Sequence, residues 1–200
     1  MVKNMKITRI LFNMALFTKS FIIGIFSSVF LFSFSNHSIA LELDVPYVES
    51  PDEIVKLMMD ISNIGPEDYV IDLGTGDGRI VIAAGKRGAK GLGVDLDPEL
   101  IAVAKANAEK EGVSDKINFV VQDLFDTNLS QATVITLFLN EEVNLKLRST
   151  LLKLKPGTRI VSHNFNMGDW KPDRYQQVLI NSNGNFFIHD VFYWDIPPII

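Results

Sequence analysis

The chain has 200 residues, no cysteine and a net charge of −5. That leaves room for one domain, and it excludes a disulfide framework, a cysteine zinc site and a thiol nucleophile. The charge is uneven: residues 1–40 hold Lys3, Lys6, Arg9 and Lys19 and no acid, so the remainder carries 15 basic and 24 acidic residues. A domain that acidic does not hold a nucleic-acid backbone by charge, and instead draws a basic partner such as a lysine side chain.

Residues 1–20 carry the four cations, Phe21 to Phe34 is almost wholly apolar, and Ser38-Ile39-Ala40 has the small-x-small spacing of a cleavage site. Charged, then apolar, then small is the order of a secretory signal. An uncleaved single-span anchor and an organelle-targeting segment are the rival readings, since the uncharged run is nearly long enough to span a bilayer. On this reading residues 1–40 direct the chain to a membrane and residues 41–200 form the folded domain. Positive-inside logic alone puts the N-terminus inside and the domain outside on either membrane reading, and the side of the membrane is left open.

An acidic linker, Leu41 to Glu49, leads to Ser50-Pro51-Asp52-Glu53. Ser50 is placed to cap a helix, Pro51 suits its first position and Glu53 completes a capping box. Ile54, Leu57, Met58 and Ile61 then give one apolar face. After the turn Ile64 to Asp68 comes Tyr69-Val70-Ile71-Asp72-Leu73-Gly74-Thr75-Gly76-Asp77-Gly78-Arg79. This reads as a strand, a tight glycine turn and a helix start, with Ile80 to Ala84 buried on all sides. Such a turn bares backbone N–H groups to a polar ligand. Asp95 ends the next strand, Gly91 to Val94, at the offset of a carboxylate that grips ribose hydroxyls.

The loop spacing is G-x-G-x-G, not the dinucleotide G-x-G-x-x-G, and Asp72 and Asp77 lie at it. Two carboxylates repel a pyrophosphate and attract a ligand with an amino group and a sulfonium. The residues therefore point to S-adenosylmethionine over a nicotinamide dinucleotide. The bland alternative is a ligand-free turn in which Asp72 and Asp77 only cap backbone N–H groups.

Asp97 caps a further helix with Leu100, Ile101, Ala104 and Ala108 as its buried stripe, and Gly112 ends it. Ile117 to Val121 is a third strand, with Gln122-Asp123-Leu124-Phe125 just past its end. Thr133 to Leu139 is a fourth strand. Asn140-Glu141-Glu142 opens a helix with Val143, Leu147, Leu151 and Leu154 on one face and Lys153 and Lys155 at its end, stopped by Pro156-Gly157. Thr158 to Ser162 is a fifth strand, followed by the loop His163 to Asp173 with an exposed aromatic, Trp170. Gln176 to Asn181 and Phe186 to Tyr193 pair through the turn Ser182 to Asn185, with little room for a helix between strands five and six.

Asp72 to Gly78 and Val94-Asp95 resemble the first two motifs of the class I, seven-strand methyltransferases. Pro46-Tyr47-Val48-x-Ser50, D-L-G-T-G-D-G-R-I-V and G-V-D-L-D-P-E-L are similar to a narrower group. These are the small lysine methyltransferases related to the mitochondrial ATP synthase c-subunit lysine methyltransferase. The resemblance covers Val45 to about Asp173. It implies an α/β, Rossmann-like, doubly wound seven-stranded sheet, mostly parallel with an antiparallel C-terminal hairpin and helices on both faces. It also implies S-adenosylmethionine as cofactor, with Tyr47 near it, Asp123 at the adenine amino group and Leu124 against the ring. Relatives often carry Pro where this chain has Asn140.

The expected cofactor set is Tyr47, Asp72, Gly74, Thr75, Gly76, Asp77, Gly78, Asp95, Asp123 and Leu124. Asn140, His163 and Trp170 are candidates on the substrate side, with His163 as a general base or a structural histidine, and no metal cluster is present in the sequence. Tyr47, Phe138, Phe165 and Trp170 are the aromatics from which a dry acceptor pocket would be drawn. The expected activity is methyl transfer to a protein lysine in a small or membrane-associated target. A small-molecule or lipid methyltransferase and an exported non-catalytic binding module of the same fold are the rivals.

Overall fold

A computed structural model describes residues 47–198. The N-terminal segment, its cleavage site and most of the acidic linker lie outside the described residues. Among the described residues no helix is long and apolar enough to cross a membrane.

The elements run α1 (Asp52–Ile61), β1 (Tyr69–Leu73), α2 (Arg79–Lys86), β2 (Lys90–Asp95), α3 (Pro98–Lys110), β3 (Ile117–Val121), β4 (Val134–Leu137), α4 (Glu141–Leu151), β5 (Arg159–His163), β6 (Arg174–Ser182) and β7 (Asn185–Asp195), with a short 3-10 turn at Leu124–Asp126. The strands form one sheet in the order β3-β2-β1-β4-β5-β7-β6. The first five are mutually parallel, and β7 runs antiparallel to both β5 and β6. The expected seven-stranded architecture is therefore the observed one, without a helix between β5 and β6.

Strand alternation splits the core into two layers. Val70, Val134 and Val161 face α1, α2 and α3, joining Ile54, Met58, Val81 and Ala104. Ile71, Leu73, Ile135, Leu137 and Ile160 face the other way, onto Val143, Leu147, Leu151 and Trp194. Strands buried on both sides read as continuous apolar runs, which is why β1 and β4 were visible in the sequence. Trp194 is fully buried in the second layer, and its indole N–H donates to the Trp170 carbonyl at 3.0 Å. Trp194→Ala should cost about 3–5 kcal/mol of stability, read as a shift in the urea midpoint with an unchanged slope.

Several local expectations are corrected. Pro51, not Ser50, stands at the N-cap of α1, with no side-chain cap hydrogen bond, so the capping box does not form. Ser50 is engaged elsewhere. Leu100 is only partly buried, leaving Ile101, Ala104 and Ala108 as the buried stripe of α3. β4 stops at Leu137, and α4 ends at Leu151, so Lys153 and Lys155 lie beyond it and Arg148 is the basic residue of its last turn. Trp170 is not an exposed loop aromatic. It is half-buried against the second core layer, its ring centroid 5.7 Å from that of Trp194.

The hairpin turn has Asn183 at φ 54° and Gly184 at φ 86°, the two-residue turn that suits the twist of antiparallel strands. Because His163, the last residue of β5, pairs with Val191, residues 185–190 run past the carboxyl end of β5. The hairpin therefore overhangs the side of the sheet on which the functional cleft opens.

Candidate functional site

Strands β1 and β4 are neighbours whose following connections lead in opposite directions across the sheet, and a crevice opens beyond their carboxyl ends. Around it gather the glycine loop after β1, the residues after β2 and β3, Phe138 and Leu139 after β4, and Tyr47, Val48 and Ser50 ahead of α1.

The glycine loop is shaped by its backbone. Gly76 has φ 55°, and a Cβ there would stand 2.4 Å from the Tyr47 ring, so the aromatic lies directly over bare backbone. Gly78, at φ 82°, is the N-cap of α2 and packs against Phe119 and Ala104. It serves helix packing and does not line the cleft.

Asp72 is buried beneath this loop. It accepts from the Thr75 hydroxyl at 2.7 Å and the Thr136 hydroxyl at 2.5 Å. Burial pushes its pKa up to about 6; the two hydroxyl hydrogen bonds oppose that shift, while Asp95 and Asp77 add to it. Asp95 lines the cleft, and its carboxylate accepts from Gly76 N–H at 2.8 Å and from Asp97 N–H at 3.0 Å. Asp123 lines it too and also caps the 3-10 turn, accepting from Phe125 N–H at 2.8 Å. Leu124 sits beside it at the cleft.

Asp77 is not a free charge. Arg79 grips it through Nε and Nη2 at 3.0 and 2.6 Å, and that pairing outweighs burial to hold the carboxyl below its usual range. The same guanidinium donates to the Ser50 carbonyl at 2.9 Å and meets Glu49 at 3.0 Å. Arg79 thus ties the segment before α1 onto the glycine loop. Burial, and then the Asp77 charge, push the Tyr47 hydroxyl up to about 12.

Eight of the ten expected cofactor residues therefore meet at one cleft: Tyr47, Gly74, Thr75, Gly76, Asp77, Asp95, Asp123 and Leu124. Asp72 and Gly78 support it from behind. The substrate-side candidates do not converge there. Asn140 Oδ1 accepts from Val143 N–H at 2.8 Å as the N-cap of α4. Trp170 packs, half-buried, against the second core layer. His163 is fully buried, one side chain behind the cleft, with its Nδ1 2.8 Å from the Ser50 hydroxyl and its ring tilted at 33° against that of Phe138, centroids 3.9 Å apart. Burial pushes its pKa down to about 3, helped by neighbouring His189 and opposed by Asp190, so it stays neutral. Arg79, Leu100, Gln122 and Leu139 line the cleft without having been singled out from the sequence. Only Arg79, next to the loop, carried a signal that could have marked it.

The cleft fits S-adenosylmethionine on its own chemistry. Bare backbone at Gly76 lies beside Asp95 and Asp123, and Asp72 adds an acid below. Among the described residues that line the cleft, the cation Arg79 is already paired with Asp77. Such a donor set favours a cationic ligand with a ribose and disfavours a pyrophosphate.

Comparison with known proteins agrees. The family described as the ANTKMT methyltransferase domain matches residues 72–174. A protein-lysine N-methyltransferase of Saccharolobus islandicus is 43% identical over 144 residues, covering 70% of this chain and 88% of the relative. The human ATP synthase c-subunit lysine N-methyltransferase is 34% identical over 105 residues, covering 52% of this chain and 45% of the relative. A Salinibacter ruber structure, described as an RNA methyltransferase in complex with S-adenosyl-L-homocysteine, superposes with a TM-score of 0.68 at 42% identity. It covers 76% of this chain and 96% of the other. With the glycine loop, the acids and the sheet order in agreement, the chain belongs to the ANTKMT methyltransferase domain family and is an S-adenosylmethionine-dependent methyltransferase.

Proposed function

We propose that the methyl acceptor is a lysine ε-amine of a protein target presented at a membrane surface. The observation that carries the lysine reading is the 43% identity to a protein-lysine N-methyltransferase, with 88% of that relative covered. When bound, S-adenosylmethionine supplies a methyl group on a sulfonium, which a neutral amine takes by in-line displacement. The chain's own task is alignment and exclusion of water. Tyr47, Phe138 and Leu139 bring apolar surface to the cleft, and a dry aromatic wall disfavours the ammonium form of a lysine.

The membrane part draws support from composition and surface. Residues 1–40 pair four cations with a long apolar run. The hairpin that overhangs the cleft side exposes Leu179, Phe186, Phe187 and Ile188, each more than half accessible.

RNA is the second reading, favoured by the RNA methyltransferase activity ascribed to the Salinibacter ruber protein. The balance of 15 basic and 24 acidic residues after position 40 works against it. One experiment separates the readings: transfer of a labelled methyl into a host extract containing membranes and RNA. The expected result is label in the membrane fraction that protease removes and ribonuclease leaves. Label removed by ribonuclease would replace the lysine reading with the RNA one. Label in soluble proteins alone would end the membrane part.

A further inference from the structure

We propose that Ser50 receives an N–H of the acceptor amine, and that His163 and His189 are positioning residues that fix the direction of its hydroxyl. The inference rests on the amine reading above.

Three side chains form a hydrogen-bonded chain running away from the cleft. Ser50 is nearly inaccessible yet lines the same cleft as Phe138 and Tyr47. Its Oγ lies 2.8 Å from His163 Nδ1, and His163 Nε2 lies 2.9 Å from His189 Nδ1. His189 is only partly buried, on β7, so the chain reaches from the cleft towards solvent.

A neutral imidazole has one donor and one acceptor nitrogen, so the proton position at one end fixes the other. Two arrangements are open. If His163 donates from Nδ1, the Ser50 hydrogen is left without an acceptor among the described residues, a buried donor unmet. If Ser50 donates to Nδ1, every group is satisfied, because His163 then gives its Nε2–H to His189. The Ser50 hydroxyl has no other partner among the described residues; its backbone carbonyl is taken by Arg79. The second arrangement is the one that closes.

Its consequence is directional. With its hydrogen turned back to His163, Ser50 shows lone pairs to the cleft. A neutral amine has two N–H donors and one lone pair. Holding an N–H on Ser50 turns the lone pair towards the methyl, the alignment that in-line displacement requires. A protonated His163 would reverse the hydroxyl and aim a hydrogen at that lone pair. The burial that keeps His163 neutral maintains the productive direction.

The test has two arms on the full chain. With histidine labelled in nitrogen-15, long-range NMR should show His163 protonated at Nε2, in the wild type and in Ser50→Thr. A resonance pattern with the proton on Nδ1 overturns the assignment. In the second arm, Ser50→Ala should lower the initial rate of labelled-methyl incorporation into the target band by about tenfold or more. Cofactor affinity by calorimetry should stay close to wild type, and Ser50→Thr should recover most of the rate. Removing the far anchor with His189→Phe should give an intermediate loss. A Ser50→Ala rate within about twofold of wild type, with cofactor binding intact, overturns the proposal, since one misdirected contact is expected to cost far more. If the wild type labels no protein at all, the lysine reading fails first, and the imidazole spectrum still decides the hydroxyl's direction.

Discussion

Replacing Asp95 with alanine is expected to weaken S-adenosylmethionine binding by one to two orders of magnitude, measured by calorimetry on the purified enzyme. Asp95 closes β2 and faces the cleft with a carboxylate that already accepts two backbone N–H groups, from Gly76 and Asp97. An ionised carboxylate has about four acceptor sites, so room remains for ribose hydroxyls. Hydrogen bonds to a charged group contribute roughly 1.5–3 kcal/mol each, and about 1.4 kcal/mol is a factor of ten. The substitution acts twice, because it also frees Gly76 N–H and loosens the turn beneath Tyr47. Unchanged affinity would mean that the ribose lies elsewhere in the cleft.

Asp72→Asn is expected to change both stability and binding, in opposite directions. The folded pKa of Asp72 is raised from 3.8 to about 6, chiefly because burial disfavours its charge. A group raised in this way contributes stability that is fully present below its unfolded pKa and is lost as pH rises through the folded one. The ligand-free enzyme should therefore lose stability between about pH 4 and pH 6 from this residue. Asparagine can still bond Thr75 and Thr136 but does not ionise. Its thermal midpoint should vary less over that window and exceed wild type near neutral pH. Binding runs the other way, since a cationic ligand favours the ionised acid. Wild-type affinity for S-adenosylmethionine should rise as pH passes through about 6, while the Asn variant stays level and binds on the order of tenfold more weakly at neutral pH. The ligand's own ionisation is common to both proteins and cancels in the comparison. Parallel pH profiles would show that the buried charge does not reach the cofactor.

The acids also show where reading by residue type stops. Asp72 and Asp77 look equivalent in the sequence, two carboxylates flanking one glycine loop. In the fold, Asp77 is neutralised by Arg79, whereas Asp72 is buried against two threonines, one of which, Thr136, lies 64 residues away in the chain. The attraction for a cation therefore rests more on Asp95, Asp123 and the ionised fraction of Asp72 than on the loop acid. Ser50 makes the same point. Its local context, S-P-D-E, spells a helix cap, and local chemistry would satisfy it there. A histidine 113 residues away competes for the hydroxyl and holds it. Trp170 read as a loop aromatic because its neighbours are polar, whereas Trp194, in the last strand, draws it onto the core.

The sequence by itself determined the elements and the cofactor cleft. Their signals are local: apolar runs bounded by glycine turns, a three-glycine loop, and an acid at the end of each of the first two strands. Parallel packing then forces such strand ends to share one side of the sheet. Only the tertiary structure decided which acids keep an available charge, which aromatics face the cleft, and that His163 stands one side chain behind it. Those outcomes depend on partners distant in the chain, and burial sets both the charge state of an aspartate or histidine and the direction of a hydroxyl.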